Sequence, residues 1–173
     1  MIKAVFFDLG DTLIEEKVDD QQPLDHLDLH AKPAAGEVLE QLSRRFRLAL
    51  VTDTESSNEE VVRRALARLG LDEYFDAVVT SQDLGVTKPD PRMFREAMRR
   101  TGVGPGEAVM VGNDLDRDVT PTAALGLRAI LVRDSPYFDP ERATTAPIAP
   151  TLAEVPDMIL AMDAAGQVAG EAP

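Results

Sequence analysis

The chain has 173 residues, 44% of them apolar and 28% charged, with a formal net charge of −13 at pH 7. Such a composition excludes wholesale disorder and is sized for one compact domain, while the acidic balance, with no basic run to offset it, excludes nucleic acid as a partner. No cysteine is present, so disulfides, thiolate nucleophiles and sulfur-ligated metals are excluded too, and any metal must sit on oxygen donors or on His26 and His30.

The first element is a strand. Ile2–Phe7 (IKAVFF) is β-branched and aromatic and ends at Asp8, so it reads as a buried strand delivering a carboxylate at its C-terminal end. Met1 leads straight into it without a charged-then-apolar leader, and no apolar run nears the roughly 18 residues of a membrane span. A cytoplasmic protein without a membrane partner is expected. Residues 13–32 are mostly polar and acidic, a loop or a short helical excursion. Then follow a helix over Gly36–Arg45, a strand over Leu48–Val51, and a helix over Asn58–Leu69 opened by a Ser57 and Glu60 capping box. A strand over Ala77–Val79, a helix over Pro91–Thr101, a strand over Ala108–Val111, a helix over Asp118–Leu125 and a strand over Ala129–Val132 complete the alternation. Pro136, Pro140, Pro147 and Pro150 make residues 135–150 an irregular surface stretch. Leu152–Met162 is a last helix; residues 164–173 read as a flexible tail behind a single core domain of residues 1–163. Strand alternating with helix predicts an α/β fold, a Rossmann-like three-layer sandwich around a parallel five-stranded sheet.

In such a sheet the ligand site lies beyond the carboxyl ends of the strands. Those ends carry Asp8, then Thr52 and Asp53, then Thr80 and Ser81, then Asn113 and Asp114, while Lys88 follows the third strand in GVTKPDP. A buried strand-end carboxylate is costly without a partner, so Asp8 requires a metal or a lysine. Lys88 is one of four lysines against fourteen arginines; it is either that partner or a solvated loop residue. Thr52 is a phosphate-binding hydroxyl or a structural one at a strand end.

The segments FFDLGDTL, LALVTDTE, GVTKPDPRMF and VGNDLDRDVTPTAALGL resemble, in order and spacing, the four successive motifs of haloacid dehalogenase (HAD) superfamily phosphatases, over nearly the whole chain. The resemblance implies a Mg²⁺-dependent phosphohydrolase acting on a phosphomonoester or acyl phosphate, whose substrate is a phosphorylated small molecule or a phosphoprotein. Asp8 would be the nucleophile, forming an aspartyl-phosphate that water hydrolyses. Mg²⁺ would lie on Asp8, the Gly10 carbonyl and the fourth motif, with Asn113 and Asp118 ahead of Asp114 and with Asp116 on a solvated face. Lys88 would stabilise Asp8 and the transferring oxygens, and Thr52, with Asp53 beside it, would contact phosphate.

The chain also departs from the pattern. Gly10 stands where the family carries a second Asp that serves as acid and base, a loss that typically costs about a hundred- to ten-thousand-fold in rate. Asp11 is the candidate replacement, although its natural direction is away from Asp8; Thr12 reads as a turn-stabilising hydroxyl. Asn113 replaces an acid, and Asp53 adds negative charge beside the phosphate position for no reason visible in the sequence. Relatives insert a cap domain that this chain lacks, leaving residues 13–32 as a reduced cap or flap; an open site implies a macromolecular phosphate, a lid from another subunit, or loose specificity. His26 and His30 share an i, i+4 spacing but have no third ligand and are assigned no chemistry. Gly10, Asn113 and the missing cap also fit a non-catalytic phosphate-binding or regulatory module. Haloacid dehalogenation is disfavoured by the acid-rich fourth motif and by the absence of an aromatic residue at position 10.

Overall fold

A computed structural model of the chain describes residues 1–15, 22–135 and 138–170, with side chains through residue 166. The strands are β1 (Ala4–Phe7), β2 (Arg47–Thr52), β3 (Ala77–Thr80), β4 (Ala108–Gly112), β5 (Arg128–Val132) and β6 (Ile148–Ala149). They form one sheet in the order β3-β2-β1-β4-β5-β6, every pair parallel. β1 lies inside the sheet because both of its faces are apolar. Val5 and Phe7 enter one hydrophobic cluster, Ala4 and Phe6 the other, and all four are fully buried.

The helices are α1 (Ala35–Ser43), α2 (Glu59–Arg68), α3 (Ser81–Leu84), α4 (Pro91–Thr101), α5 (Thr120–Ala123) and α6 (Val155–Gly170). α1, α2 and α6 cover one face through Leu39, Leu66 and Ile159, and α4 covers the other through Met93, Phe94 and Ala97. The expected three-layer α/β sandwich is what the chain forms. The strand order reverses between β1 and β4, and in open α/β sheets that switch point opens the ligand crevice. Among the described residues no helix is long and apolar enough to cross a membrane.

Several details differ from the sequence expectation. The sheet has six strands rather than five, because Ile148–Ala149 adds beside β5 inside the stretch expected to be irregular. Two residues are too few to leave an alternation pattern; main-chain bonds from Leu131 to the Pro147 carbonyl (3.0 Å) and from Arg133 to the Ala149 carbonyl (2.9 Å) hold the pair. The N-cap of α2 is Asn58, whose side chain accepts from the Val61 N–H at 3.0 Å, not Ser57. Ser57 is buried and its hydroxyl accepts the Leu24 N–H at 3.0 Å, tying residue 24 to the start of α2. Near it, Ile14 bridges Ala31 antiparallel, Leu24 is fully buried in a single 3₁₀ turn, and Arg64 of α2 bonds Asp25 at 2.8 Å. Residues 16–21, inside the expected flap, lie outside the described residues. The helix expected from Asp118 begins earlier, as a π-helix over Leu115–Val119 that leads into α5. α6 continues through Gly170, past Ala164 where a tail was expected; the last three residues lie outside the described residues.

Candidate active site

β1 ends on Asp8, whose N–H still bonds the Val111 carbonyl of β4 at 3.0 Å, so the carboxylate starts from the last rung of the ladder. Beyond it the chain turns sharply. The Leu9 carbonyl accepts from Thr12, Leu13 and Ile14, and Asp11 takes the left-handed conformation (φ 55°), which Asp adopts more readily than most side chains. That turn brings the Thr12 hydroxyl back to Asp8, donating to Oδ2 at 3.1 Å. Asp8 is 8% exposed.

Lys88 comes from the loop between α3 and α4. Its ammonium donates to Asp8 Oδ1 at 2.6 Å and to Asp118 Oδ1 at 2.7 Å, so one cation joins two carboxylates from different elements. Burial by itself would depress the Lys88 ammonium, but Asp118, Asp8 and Asp53 outweigh it and hold the group above the ordinary lysine range. Asp118 is pushed up, to about 7, chiefly by burial, with Asp8 adding to the shift and Lys88 opposing it.

Gly112, the last residue of β4, makes this packing possible. A Cβ there would lie 2.3 Å from Asp118 Oδ2, closer than real Cβ atoms approach any atom. The π-helix sets Asp118 in place: the Thr120 N–H reaches the Leu115 carbonyl five residues back, and Asp118 Oδ2 accepts the Asp114 N–H at 3.1 Å. Pro121, without an N–H, cannot continue an ordinary α-helical ladder there.

Asp53 and Asp114 are placed differently from the sequence expectation. Asp53 does not load bare negative charge onto the site. Its Oδ1 accepts the Lys88 N–H at 2.8 Å and its Oδ2 pairs with the Arg117 guanidinium, so it clamps the lysine loop to the π-helix while Arg117 offsets its charge. Asp114 caps the π-helix, accepting from the Asp116 N–H at 2.9 Å and the Arg117 N–H at 3.1 Å. Asp116, expected on a solvated face, is exposed and paired with Arg142 at 2.7 Å. Thr52 is buried at the end of β2, one register step beyond the level of Asp8. His26 is exposed, its Nε2 4.0 Å from Asp25 Oδ1.

Asn113 is oriented for a purpose. Its Nδ2 donates to Ser135 Oγ at 3.0 Å, which turns Oδ1 inward to accept from the Thr12 hydroxyl at 3.3 Å, beside Asp8. Among the described residues no three His, Cys, Asp or Glu side chains gather into a group that could hold a metal ion. The fourth-motif acids are occupied: Asp118 by Lys88 and a main-chain N–H, Asp114 by its cap. Asp8 and Asn113 Oδ1, while accepting from Lys88 and Thr12, and the Gly10 main chain also offer oxygens, a donor type that suits a hard cation keeping several waters.

Asp11, the candidate replacement for the missing acid, lines a cavity of about 510 Å³ together with Glu15, Lys32, Arg133, Asp134 and Ser135. Asp8 is not in its wall. Ser135, Gly112, Arg117 and Lys32 were not singled out from the sequence. Ser135 and Arg117 act through partners 22 and 64 residues away, a separation no local pattern reveals.

A parallel sheet with a buried strand-end aspartate, a bridging lysine and a following π-helix defines a HAD-type α/β fold. A haloacid dehalogenase-like hydrolase family model matches residues 15–126, and the chain belongs to that family. It is 45% identical over 76 residues to a glyceraldehyde 3-phosphate phosphatase of Methanopyrus kandleri, covering 44% of this chain and 33% of that protein. It is 35% identical over 120 residues to haloacid dehalogenase-like hydrolase domain-containing protein 3 of Mus musculus, covering 69% of this chain and 46% of that protein. It is 39% identical over 101 residues to a phosphoserine phosphatase of Thermus thermophilus, covering 58% and 39%. The chain therefore spans less than half the length of each of these relatives. Among solved structures it superposes on an uncharacterized protein from Listeria monocytogenes serotype 4b with a TM-score of 0.84 at 27% identity, over 94% of this chain and 99% of the other. A HAD phosphatase from Thermococcus onnurineus gives 0.71 at 25% identity, over 91% and 98%.

Proposed function

We propose that this chain hydrolyses phosphate esters or acyl phosphates of small molecules, with Asp8 as nucleophile. One observation carries the reading: Asp8 leaves the central strand with one oxygen on Lys88 and the other on Thr12, so the carboxylate is aimed and fixed. Attack of a carboxylate oxygen on phosphorus forms the Asp8–phosphorus bond and breaks the bond to the leaving oxygen; water then cleaves the acyl phosphate and regenerates the carboxylate. Lys88 stays charged through both steps and offsets charge on the transferring oxygens. Thr52, buried at the neighbouring strand end, would donate to a phosphoryl oxygen. Asp53 and Arg117 keep the lysine loop in place. The donors at Asp8, Gly10 and Asn113 would hold Mg²⁺, which when bound neutralises charge between the carboxylate and the phosphoryl group.

The phosphatase names of the relatives from Methanopyrus kandleri and Thermus thermophilus support this class of substrate. Gly10 sharpens it, because residue 10 bears no acid to protonate an alkoxide. Acetyl phosphate, whose leaving group hardly needs a proton, is expected to react faster than alkyl phosphates. The test is phosphate release from acetyl phosphate and p-nitrophenyl phosphate in Mg²⁺. Release is expected to stop with EDTA and to fall at least about a thousandfold in Asp8→Asn. The same glycine favours one other reading, a phosphate-binding module without turnover. Thermal stabilisation by Mg²⁺ plus phosphate, with no release from any ester, selects that reading instead.

A further inference from the structure

Another cavity, of about 660 Å³, lies away from Asp8, between α5, the start of β5, the segment leading into β6 and Met162 of α6. Small-molecule sites typically span about 300–1,000 Å³, so it has room for a ligand of several carbons. None of Asp8, Thr52, Lys88 and Asp118 lines it, and the proposed chemistry leaves it without a role. Val119, Ala123, Leu127, Ala146, Pro147 and Met162 make its wall apolar, which favours a hydrocarbon body. The charge of that wall is unlike the rest of the molecule. The chain carries 31 Asp and Glu, yet among the described residues none of them lines this cavity, and the charged residue there is Arg128. Arg128 has no carboxylate partner among the described residues. Its Nη1 donates to the Met162 carbonyl at 3.2 Å and its Nη2 to the Gly106 carbonyl at 3.1 Å. Carbonyls fix the guanidinium in place without cancelling its charge, and they leave other N–H groups of its fork to donate elsewhere. The cavity beside Asp11 is the contrast, because there Asp11, Glu15 and Asp134 oppose Lys32 and Arg133.

We infer that the cavity lined by Arg128 binds a small amphipathic monocarboxylate, with its apolar body against Val119, Ala123 and Met162 and its carboxylate on the guanidinium. One anionic group is specified because one cation serves it; a second charge would enter apolar surroundings without a partner. The site goes beyond the phosphohydrolase reading and does not depend on it, so binding is expected to be the same in Asp8→Asn.

The experiment is calorimetric titration of the full chain with octanoate, 1-octanol and octylammonium, which share an apolar body and differ in the charge of the head. Octanoate is expected to bind at a single site roughly tenfold more tightly than octanol, the scale of one charge-assisted hydrogen bond, with octylammonium weakest. In Arg128→Gln the advantage of octanoate over octanol is expected to fall to near one, and in Arg128→Lys to be partly kept. Arg128 also ties Gly106 to α6, so a second variant separates binding from folding. Ala123 is exposed at the rim, and Ala123→Phe fills the cavity without entering the core; it is expected to abolish binding of octanoate and octanol alike. Octanoate bound no better than octanol, or an advantage that survives Arg128→Gln, overturns the carboxylate site. Binding that survives Ala123→Phe overturns its location. Failure of all three probes to bind overturns the site altogether, and a dimer that Ala123→Phe dissolves would then assign the wall to a second copy of the chain.

Discussion

Among the described residues two lysines are buried, Lys88 with a side chain 3% exposed and Lys32 with one 8% exposed, and their surroundings differ in kind. Lys88 sits between two carboxylate oxygens at 2.6 and 2.7 Å, with a third acid, Asp53, on its own N–H. Lys32 leans on the Asp134 carbonyl, with that residue's half-exposed carboxylate more distant at 3.8 Å, and faces a cavity. Burial alone therefore does not tell what an ammonium does; the groups that compensate its charge do. Where carboxylates surround it, removing the lysine strands buried negative charge. Where a carbonyl holds it, removing the lysine frees a group that water can reach through the cavity.

The largest expected effect sharpens this contrast. Lys88→Met is expected to cost about 3–5 kcal/mol of stability, because Asp8 and Asp118 are left buried without their cation. Lys32→Met is expected to cost about 1 kcal/mol or less. Urea unfolding of both variants measures the difference, and equal losses would break the distinction. Next comes Gly112→Ala, which drives Asp118 off its position without touching Lys88. A loss of about 1–3 kcal/mol together with reduced phosphate release is expected. The smallest effect belongs to a charge cluster outside both regions. Glu96 bonds Arg99 and Arg100, and these hold its carboxyl at about 2, below its ordinary 4.5. A carboxyl lowered on folding contributes stability above its ordinary value and loses it as pH falls toward the lowered one. Glu96→Gln is thus expected to cost under about 1 kcal/mol at neutral pH, with the gap to the parent narrowing from pH 4.5 downward. Unfolding curves taken between those conditions check the sign.

Much of this was legible along the chain because it is local. IKAVFF ending in Asp8 declared a two-sided buried strand, and the alternation of such runs with helical segments declared the parallel sheet. The approach of Lys88 to Asp8 was readable from the strand ends and the loop after the third strand, and that of Asp118 from the resemblance to the fourth family motif. What stayed hidden depends on distant pairing. The reason for Asp53 lies in Arg117, 64 residues away, and the orientation of Asn113 in Ser135, 22 residues away. Asp114 read as a metal-shell acid because its role as a helix cap depends on a π-helix that residue spacing does not announce. The sixth strand leaves no signal in the sequence because two residues among prolines carry no periodicity.

The central claim, that phosphorus is transferred onto Asp8, is tested most directly by acid-quenching the protein during turnover of acetyl phosphate and mapping its peptides by mass spectrometry. A phosphoryl group on the peptide containing residue 8, lost on treatment with hydroxylamine and missing from Asp8→Asn, is the expected result. Turnover that proceeds with that peptide unmodified, or that persists in Asp8→Asn, would contradict it.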